Sequence, residues 1–361
     1  MTKPRCTLRA LLFIAALIPA SLSAQLAEHP EHHYFELGDF AIELGETLPH
    51  ARVLYVTHGT LNADRSNAVL IPSWYGGDHH GYDFLIGPDA ALDPAEYFVI
   101  VTEMFASGGS SSPSNADPPQ THEEFSSVTI RDNVEATHRL VTKVFGITHL
   151  RAVIGFSMGA QQAFQWAVSH PDFMDVIVPI AGTAKTYPHG IVRLESALTL
   201  ITHDPEILAG RDTLSAAGSR AWALHWAAWT RSTEWWRQEL FRSPSIPSLD
   251  AVIEQQSRAR PGFRPHDQVV QGRVWQSHDV GDTPGFGGDV ERALGSIRAR
   301  VIYMPGATDM YFPITDAEYE LQFIPDVEFL PIPSLWGHMA GAGPNEVDRA
   351  FIIDAIRGAL R

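Results

Sequence analysis

A serine between two glycines, in the segment Gly155-Phe156-Ser157-Met158-Gly159, has the surroundings of a nucleophile. The segment follows the apolar run 152–154 and precedes a helix-forming stretch, 160–169. In a strand–turn–helix of this kind the turn is tight, and bulky side chains at the two glycine positions would collide with neighbouring backbone. The Ser157 hydroxyl would then project beside the start of a helix, where developing negative charge is favoured. We predict that Ser157 is the nucleophile.

A serine hydroxyl is a poor nucleophile until a base takes its proton, so a histidine and an acid that orients it must follow. Asp309 lies in a loop after the apolar run 300–304, and His338 comes after the next apolar run, 327–332. The order serine, acid, histidine is the one that accompanies this turn. We therefore predict a triad of Ser157, Asp309 and His338. Asp316 is the main rival for the acid, but it falls inside the following helical stretch.

The chain has 17 histidines, and three others offer weaker candidates. His58 precedes a glycine, as in some oxyanion motifs, but it comes before the first buried strand and is interpreted as structural. His79 and His80 could contact substrate or a metal ion. No third ligand at a recognisable spacing accompanies them, so we expect neither a metal site nor a cofactor.

The negative oxygen formed during attack on a carbonyl needs two backbone N–H donors. One should be the amide of Met158, directly after the nucleophile, and the other should come from the loop 72–77, after the first buried strand. We predict that the second donor is the amide of Tyr75. Trp74 and Met339, which neighbour Tyr75 and His338, are expected to line the substrate pocket.

The elements that would position these residues are indicated by apolar patterning. Near-continuous apolar runs predict strands that are buried on both faces, as parallel strands covered by helices are. These runs are 68–71, 97–101, 152–154, 176–180 and 300–304. Before them, the alternating residues 34–56 predict antiparallel strands at a sheet edge. The predicted class is α/β, with a mostly parallel sheet and an antiparallel amino-terminal edge.

Residues 184–298 lack a comparable strand pattern and are interpreted as a helical lid inserted between two core strands. Their helix-like centre, 221–241, holds five of the nine tryptophans. Trp222, Trp226 and Trp229 form one stripe of a helix, which could pack against the domain, line an apolar pocket, or do both. The segment 107–113, rich in glycine and serine, is interpreted as a flexible loop.

Three segments in order resemble the homoserine O-acetyltransferase-like branch of the α/β-hydrolases. They are 59–70, 128–132 (Val-Thr-Ile-Arg-Asp) and 155–163 (Gly-Phe-Ser-Met-Gly-Ala-Gln-Gln-Ala). The resemblance covers about 35–200 well and about 268–340 in outline. It implies the α/β-hydrolase fold, the triad of Ser157, Asp309 and His338, and a second oxyanion donor at Tyr75.

Two departures from this family limit what the resemblance implies. The transferases usually carry an acidic residue after the catalytic histidine, which helps to hold the amino group of homoserine, whereas this chain has Met339. Their first oxyanion loop usually begins with a histidine followed by small and aliphatic residues, and here it is Ser73-Trp74-Tyr75. Because Met339 cannot pair with an ammonium group, we expect an acceptor other than homoserine.

Composition excludes several classes of function. The 361 residues carry a formal net charge of -16, which repels nucleic acid and anionic lipid, so we expect neither nucleic-acid binding nor stable membrane association. The single cysteine, Cys6, excludes an internal disulfide. Residues 1–24 combine basic residues, a short apolar run and small residues, as a cleaved signal peptide does. We expect the domain 25–361 to be secreted or periplasmic.

These observations favour an exported serine hydrolase that cleaves carboxylic esters through an acyl-enzyme. An acyltransferase that moves the acyl group to an alcohol is the first alternative, since the two differ in how well the second step excludes water. A non-catalytic binding protein of the same fold is the second alternative. The expected partner is a small-molecule ester or acyl substrate, with a homodimer left open.

Overall fold

One sheet of eight strands organises the residues that the computed structural model describes, which are 30–118, 120–256 and 262–361. In chain order the strands are β1 (His33–Ala41), β2 (Thr47–His58), β3 (Ala68–Pro72), β4 (Phe98–Thr102), β5 (Leu150–Phe156), β6 (Met174–Ile180), β7 (Arg300–Tyr303) and β8 (Val327–Phe329). Their order across the sheet is β1-β2-β4-β3-β5-β6-β7-β8. β2 is antiparallel to β1 and β4, and the other pairs are parallel. The predicted α/β class with an antiparallel edge is confirmed.

Helices connect the strands and cover the sheet. They are α1 (Ile130–Lys143), α2 (Met158–Ser169), α3 (Pro188–Thr202), α4 (Pro205–Leu208), α5 (Ala216–Thr230), α6 (Thr233–Arg237), α7 (Leu249–Gln256), α8 (Pro265–Gln276), α9 (Val290–Leu294), α10 (Ile314–Glu320) and α11 (Glu346–Ala359). Short 3₁₀ turns occur at His79–Leu85, His122–Glu124, Val280–Asp282, Leu321–Phe323 and Gly337–Ala342. No helix in these described ranges combines the length and apolar character needed to cross a lipid bilayer.

The central strands are apolar throughout because both of their faces are covered. Along β3, Ala68 and Leu70 belong to one buried apolar cluster, while Val69 and Ile71 belong to another. Neighbouring side chains on a strand point to opposite faces, so the two clusters lie on opposite sides of the sheet. All five residues of β3 are buried, which accounts for the absence of alternation in its sequence.

The serine-rich loop 107–113 is anchored, so the expectation of a flexible loop is wrong. Ser110 and Ser112 are fully buried. The hydroxyl oxygens of Ser110 and Ser111 accept hydrogen bonds from the amides of Leu54 and Arg52 on β2, each at 2.9 Å. Serine side chains therefore supply acceptors that a neighbouring strand would otherwise provide, a role that composition does not reveal.

Helices α3 to α9 fill the described part of the insertion, residues 184–298. Its tryptophan-rich centre consists of two helices rather than one. α5 ends at Thr230 and α6 begins at Thr233, and Ser232 caps α6 by accepting a hydrogen bond from the Trp235 amide at 3.0 Å. The predicted signal peptide, residues 1–24, lies outside the described residues.

Candidate active site

Ser157 occupies the sharp turn between β5 and α2. Its φ of 57° and ψ of -122° lie in a region that non-glycine residues rarely adopt. A Cβ at Gly155 would lie 2.0 Å from the Gly159 carbonyl oxygen, and one at Gly159 would lie 2.6 Å from the Pro72 carbonyl oxygen. Both glycines are therefore required by close backbone approach.

The Tyr82 hydroxyl holds this turn against the neighbouring strand. It accepts a hydrogen bond from the Phe156 amide at 2.9 Å and donates one to the Pro72 carbonyl at 2.8 Å. Burial raises the pKa of Tyr82, so the phenol keeps its proton and its role as donor. The Ser157 amide donates to the Ile180 carbonyl at 2.9 Å, which ties the turn to β6 as well. Sequence reasoning did not identify Tyr82.

Ser157, His338 and Asp309 form one buried chain of hydrogen bonds. His338 Nε2 lies 3.0 Å from Ser157 Oγ, and His338 Nδ1 lies 2.8 Å from Asp309 Oδ2. The other carboxylate oxygen, Asp309 Oδ1, accepts a hydrogen bond from the Tyr311 amide at 2.7 Å. Asp316 lies on α10, so the structure brings Asp309 rather than its rival to the histidine.

The two expected oxyanion donors belong to different elements. Met158 is the first residue of α2, where a helix leaves its amide without an intrahelical partner. Tyr75 lies in the loop after β3, directly before two amides that are already engaged. The Gly76 amide donates to Gln271 Oε1 at 2.8 Å, and the Gly77 amide donates to the Trp74 carbonyl at 2.9 Å. Among the described residues, none accepts a hydrogen bond from the Tyr75 amide.

A cavity of about 950 Å³ opens over Ser157 and His338. The expected pocket residues Trp74 and Met339 line it, as does Tyr75. The insertion adds an aromatic wall from Trp222, Trp226, Trp235, Trp236 and Trp275. Trp222 and Trp226 also belong to the main apolar cluster, so both interpretations of the tryptophan stripe hold for these two residues, whereas Trp229 packs against the cluster and is not among the lining residues.

Polar residues of the insertion also reach the cavity, and sequence reasoning missed them. Asp267 and Arg231 line it. Burial raises the pKa of Asp267 to about 6, although Ser114 donates to its carboxylate from both its amide and its hydroxyl, at 2.9 and 2.6 Å. No motif marks these residues, because their proximity to Ser157 arises from the packing of the insertion.

The three remaining histidine candidates are not among the described residues that line the cavity. His79 is buried and its Nδ1 lies 2.8 Å from Glu103 Oε1, in a buried pair. His80 faces solvent, with Nδ1 3.1 Å from Asp83 Oδ2. His58 ends β2, and burial lowers its pKa. The structural interpretation of His58 therefore fits its position, and His79 and His80 do not contact the site.

Within the described ranges, two side-chain groups are close enough to share a metal ion: His122, Asp212 and His266, and Glu135, His138 and His170. In both groups the imidazole rings are stacked, with ring centroids 4.6 and 4.0 Å apart. Neither group contains a residue of the Ser157 hydrogen-bond chain.

Comparison with known proteins places the chain among esterases and acyltransferases. It is 38% identical over 311 residues to a probable esterase of Corynebacterium glutamicum, covering 84% of this chain and 88% of that protein. It is 36% identical over 326 residues to the ethyl acetate hydrolase of Pseudomonas veronii, covering 88% and 92%. A homoserine O-acetyltransferase of Symbiobacterium thermophilum is 29% identical over 336 residues, covering 83% and 87%, which agrees with the resemblance found in the sequence.

A solved structure of the acetyl esterase MekB superimposes with a TM-score of 0.87 at 33% identity, covering 92% of this chain and 97% of that one. These relatives indicate an enzyme of the serine hydrolase or O-acyltransferase type. Residues 67–342 match the family model described as the alpha/beta hydrolase fold. Because this match spans most of the chain, the protein belongs to the α/β-hydrolase family.

Proposed function

We propose that this enzyme hydrolyses carboxylic esters of short acyl groups through an acyl-enzyme on Ser157. The observation that carries the proposal is the buried chain from Ser157 Oγ through His338 to Asp309, at 3.0 and 2.8 Å, beneath an aromatic-walled cavity. A nucleophile, its base and an orienting acid within hydrogen-bond distance are the requirements of nucleophilic acyl transfer.

In the first half-reaction His338 Nε2 takes the Ser157 proton while Oγ attacks the ester carbonyl carbon. Asp309 accepts the Nδ1–H of the resulting imidazolium and stabilises its charge. The amides of Met158 and Tyr75 donate hydrogen bonds to the negative carbonyl oxygen. When the tetrahedral intermediate collapses, the bond to the alcohol oxygen breaks and His338 returns its proton to the departing alcohol.

In the second half-reaction water takes the place of the alcohol. His338 removes a proton from the water as its oxygen attacks the acyl carbon of the Ser157 ester. Collapse of the second intermediate breaks the bond to Ser157 Oγ, which regains its proton from His338. One ester and one water thus become one acid and one alcohol, and the enzyme returns to its starting state.

The names of the relatives support short acyl groups, and acetate esters in particular. One relative is an ethyl acetate hydrolase and a structural neighbour is an acetyl esterase. The tryptophan wall of the cavity suits an apolar alcohol portion, because burying apolar surface of a ligand against aromatic rings favours binding. Met339 lines the same cavity beside His338 and offers no partner for an ammonium group.

Hydrolysis of p-nitrophenyl esters of increasing acyl length tests the proposal. We expect the acetate and other short esters to be cleaved, and Ser157→Ala to lose almost all turnover while keeping the wild-type circular dichroism spectrum. Ser169→Ala, at the other end of α2, is the matched control and should keep wild-type activity. Retained turnover in Ser157→Ala would overturn the proposed nucleophile.

A transferase function is the alternative outcome, and the homoserine O-acetyltransferase relative gives it a basis. Incubation with acetyl-CoA, with and without homoserine, separates the two functions. The proposal predicts that homoserine does not accelerate CoA release. Rapid release that depends on homoserine would replace hydrolysis by transfer as the function.

We also propose that the enzyme is exported, with residues 1–24 serving as a cleaved signal peptide. The basic residues, apolar run and small residues of this segment support the proposal. Fractionation of cells that produce the full chain should recover it outside the cytoplasm, beginning near residue 25. A cytoplasmic protein that retains the first 24 residues would contradict this.

A further inference from the structure

Arg193 on α3 is a buried cation whose guanidinium makes no hydrogen bond to the residues that the structure describes. Only 3% of the surface of Arg193 is exposed to solvent. Among the residues that the structure describes, none accepts a hydrogen bond from its Nε, Nη1 or Nη2. An unpaired buried charge is costly to folding, so its presence here calls for an explanation.

Aromatic rings of the cavity wall surround this guanidinium. Its central carbon lies 3.9 Å from the centroid of the Tyr311 ring, 4.8 Å from that of Trp275 and 5.8 Å from that of Trp226. The negative faces of such rings attract a cation and partly replace its lost hydration. All three rings line the cavity, so Arg193 lies directly behind the cavity wall.

Tyr311 connects Arg193 to the buried hydrogen-bond chain. Its ring centroid lies 4.6 Å from that of His338, and its amide donates to Asp309 Oδ1 at 2.7 Å. The guanidinium charge therefore lies within roughly 8 Å of the imidazole, the distance spanned by these two contacts of the Tyr311 ring. A positive charge at that distance in a buried site opposes a second positive charge on His338.

We infer that Arg193 is a positioning residue of the proposed reaction, a fixed charge that keeps His338 in its neutral, proton-accepting form at lower pH. The inference rests on the proposed role of His338 as the base. A neutral imidazole is required before Ser157 can be deprotonated, so a repelling charge widens the range of pH in which the free enzyme is active.

Of four other ionisable groups near Arg193 or His338, Arg231 acts in the same sense as Arg193 between about pH 5 and 8, and the other three do not. Asp309 attracts the imidazolium and so acts in the opposite sense. Arg231 also adds positive charge, and burial lowers its pKa only to about 10. Burial lowers the pKa of His225 on α5 to about 4, so this residue is uncharged there. Burial raises the pKa of Tyr75 well above its ordinary value, so this phenol is uncharged as well.

Arg193→Met removes the charge and keeps much of the side-chain volume, while Arg193→Lys keeps the charge. With a separation of roughly 8 Å and an effective dielectric constant of about 20, the acidic limb of kcat/KM in Arg193→Met should move up by about 1.5 pH units. The Lys variant should stay close to the wild type. Arg139 on α1, whose guanidinium lies over the Phe40 ring, offers the matched control. The acidic limb of kcat/KM in Arg139→Met should not shift.

Two further measurements distinguish charge from structure. The melting temperature of Arg193→Met should stay level or rise, because an unpaired buried charge has been removed. Titration of the His338 ring by NMR should show the same upward shift of its pKa, and this readout does not require activity. Arg193→Gln gives a second neutral side chain should the Met variant fold poorly.

An acidic limb and a His338 pKa in Arg193→Met that coincide with the wild type would overturn the inference. An equal shift in Arg193→Lys would overturn it too, because the charge would then not be the cause. Failure of the proposed function can be distinguished from failure of the inference about Arg193. Activity retained by Ser157→Ala would remove that function, whereas the NMR titration would still report whether Arg193 acts on His338.

Discussion

Gln271 on α8 accepts a hydrogen bond from the Gly76 amide at 2.8 Å, which ties the helical insertion to the loop that contains Tyr75. Three residues earlier on the same helix, the Gln268 carbonyl accepts a hydrogen bond from the Tyr75 hydroxyl at 3.1 Å. The insertion therefore does more than cover the cavity. It also holds the loop that we propose as the second part of the oxyanion site.

Gln271→Leu should loosen this loop, because it removes the acceptor of the Gly76 amide while keeping a buried side chain. We expect kcat/KM for p-nitrophenyl acetate to fall by about tenfold, less than the loss of a whole oxyanion donor. Gln276→Leu, on the surface side of the same helix, is the control, since its amide bonds Glu195 and the Ile191 carbonyl. Equal activity of the two variants would argue against the insertion positioning Tyr75.

Gly155→Ala should disable the turn that carries Ser157. The added methyl group would meet the Gly159 carbonyl oxygen at 2.0 Å, so backbone must move. A displacement near 1 Å at a reacting group can lower the rate by about a hundredfold. Gly358→Ala on α11 is the control, because the added methyl group meets no atom within 4 Å. It should raise the free energy of unfolding by about 0.5–1 kcal/mol and leave the kinetics unchanged. Normal turnover in Gly155→Ala would contradict the tight turn.

Tyr82→Phe should weaken the same turn from its other side. The change leaves the Phe156 amide without its buried acceptor, which typically costs about 1–3 kcal/mol of stability. Denaturant unfolding should detect this loss. Because Phe156 directly precedes Ser157, kcat should also fall. Unchanged stability would show that the Phe156 amide finds another acceptor.

Because of Glu320, the free energy of unfolding should fall as pH rises. It is fully buried, and burial raises its pKa to about 8 in the fold, against an ordinary value of 4.5 in the unfolded chain. The folded state therefore keeps a proton that the unfolded state loses, and stability decreases between about pH 4.5 and 8. Glu320→Gln imitates the protonated form and should flatten this part of the profile, as measured by urea unfolding at several pH values. If the stability of Glu320→Gln fell with pH as steeply as that of the wild type, Glu320 would not be the group responsible.

Much of the fold and the hydrogen-bond chain of Ser157 could be predicted from the sequence, because local patterns carry them. A strand buried on both faces is apolar at every position, as β3 is. The turn at Ser157 needs two glycines at fixed spacing. Asp309 follows β7 and His338 follows β8, and the ends of neighbouring parallel strands meet at one edge of the sheet.

The supporting residues could not be predicted, because their partners are distant in the chain and follow no spacing rule. Gln271 bonds a residue 195 positions away, and Tyr82 bonds one 74 positions away. Arg193 acquires its aromatic surroundings only when α3 packs beside α5 and α8. The serines of the loop 107–113 resembled a flexible linker because composition does not show that β2 offers them unpaired amides.

Covalent labelling tests the central claim most directly. A fluorophosphonate reacts with a serine only where a base and an oxyanion site activate it, and peptide mass spectrometry identifies the serine that is modified. We predict one adduct per chain, on the peptide that contains Ser157, with loss of esterase activity in step and no labelling of Ser157→Ala. Labelling of a different serine, or labelling of Ser157→Ala to the same extent as the wild type, would contradict the account.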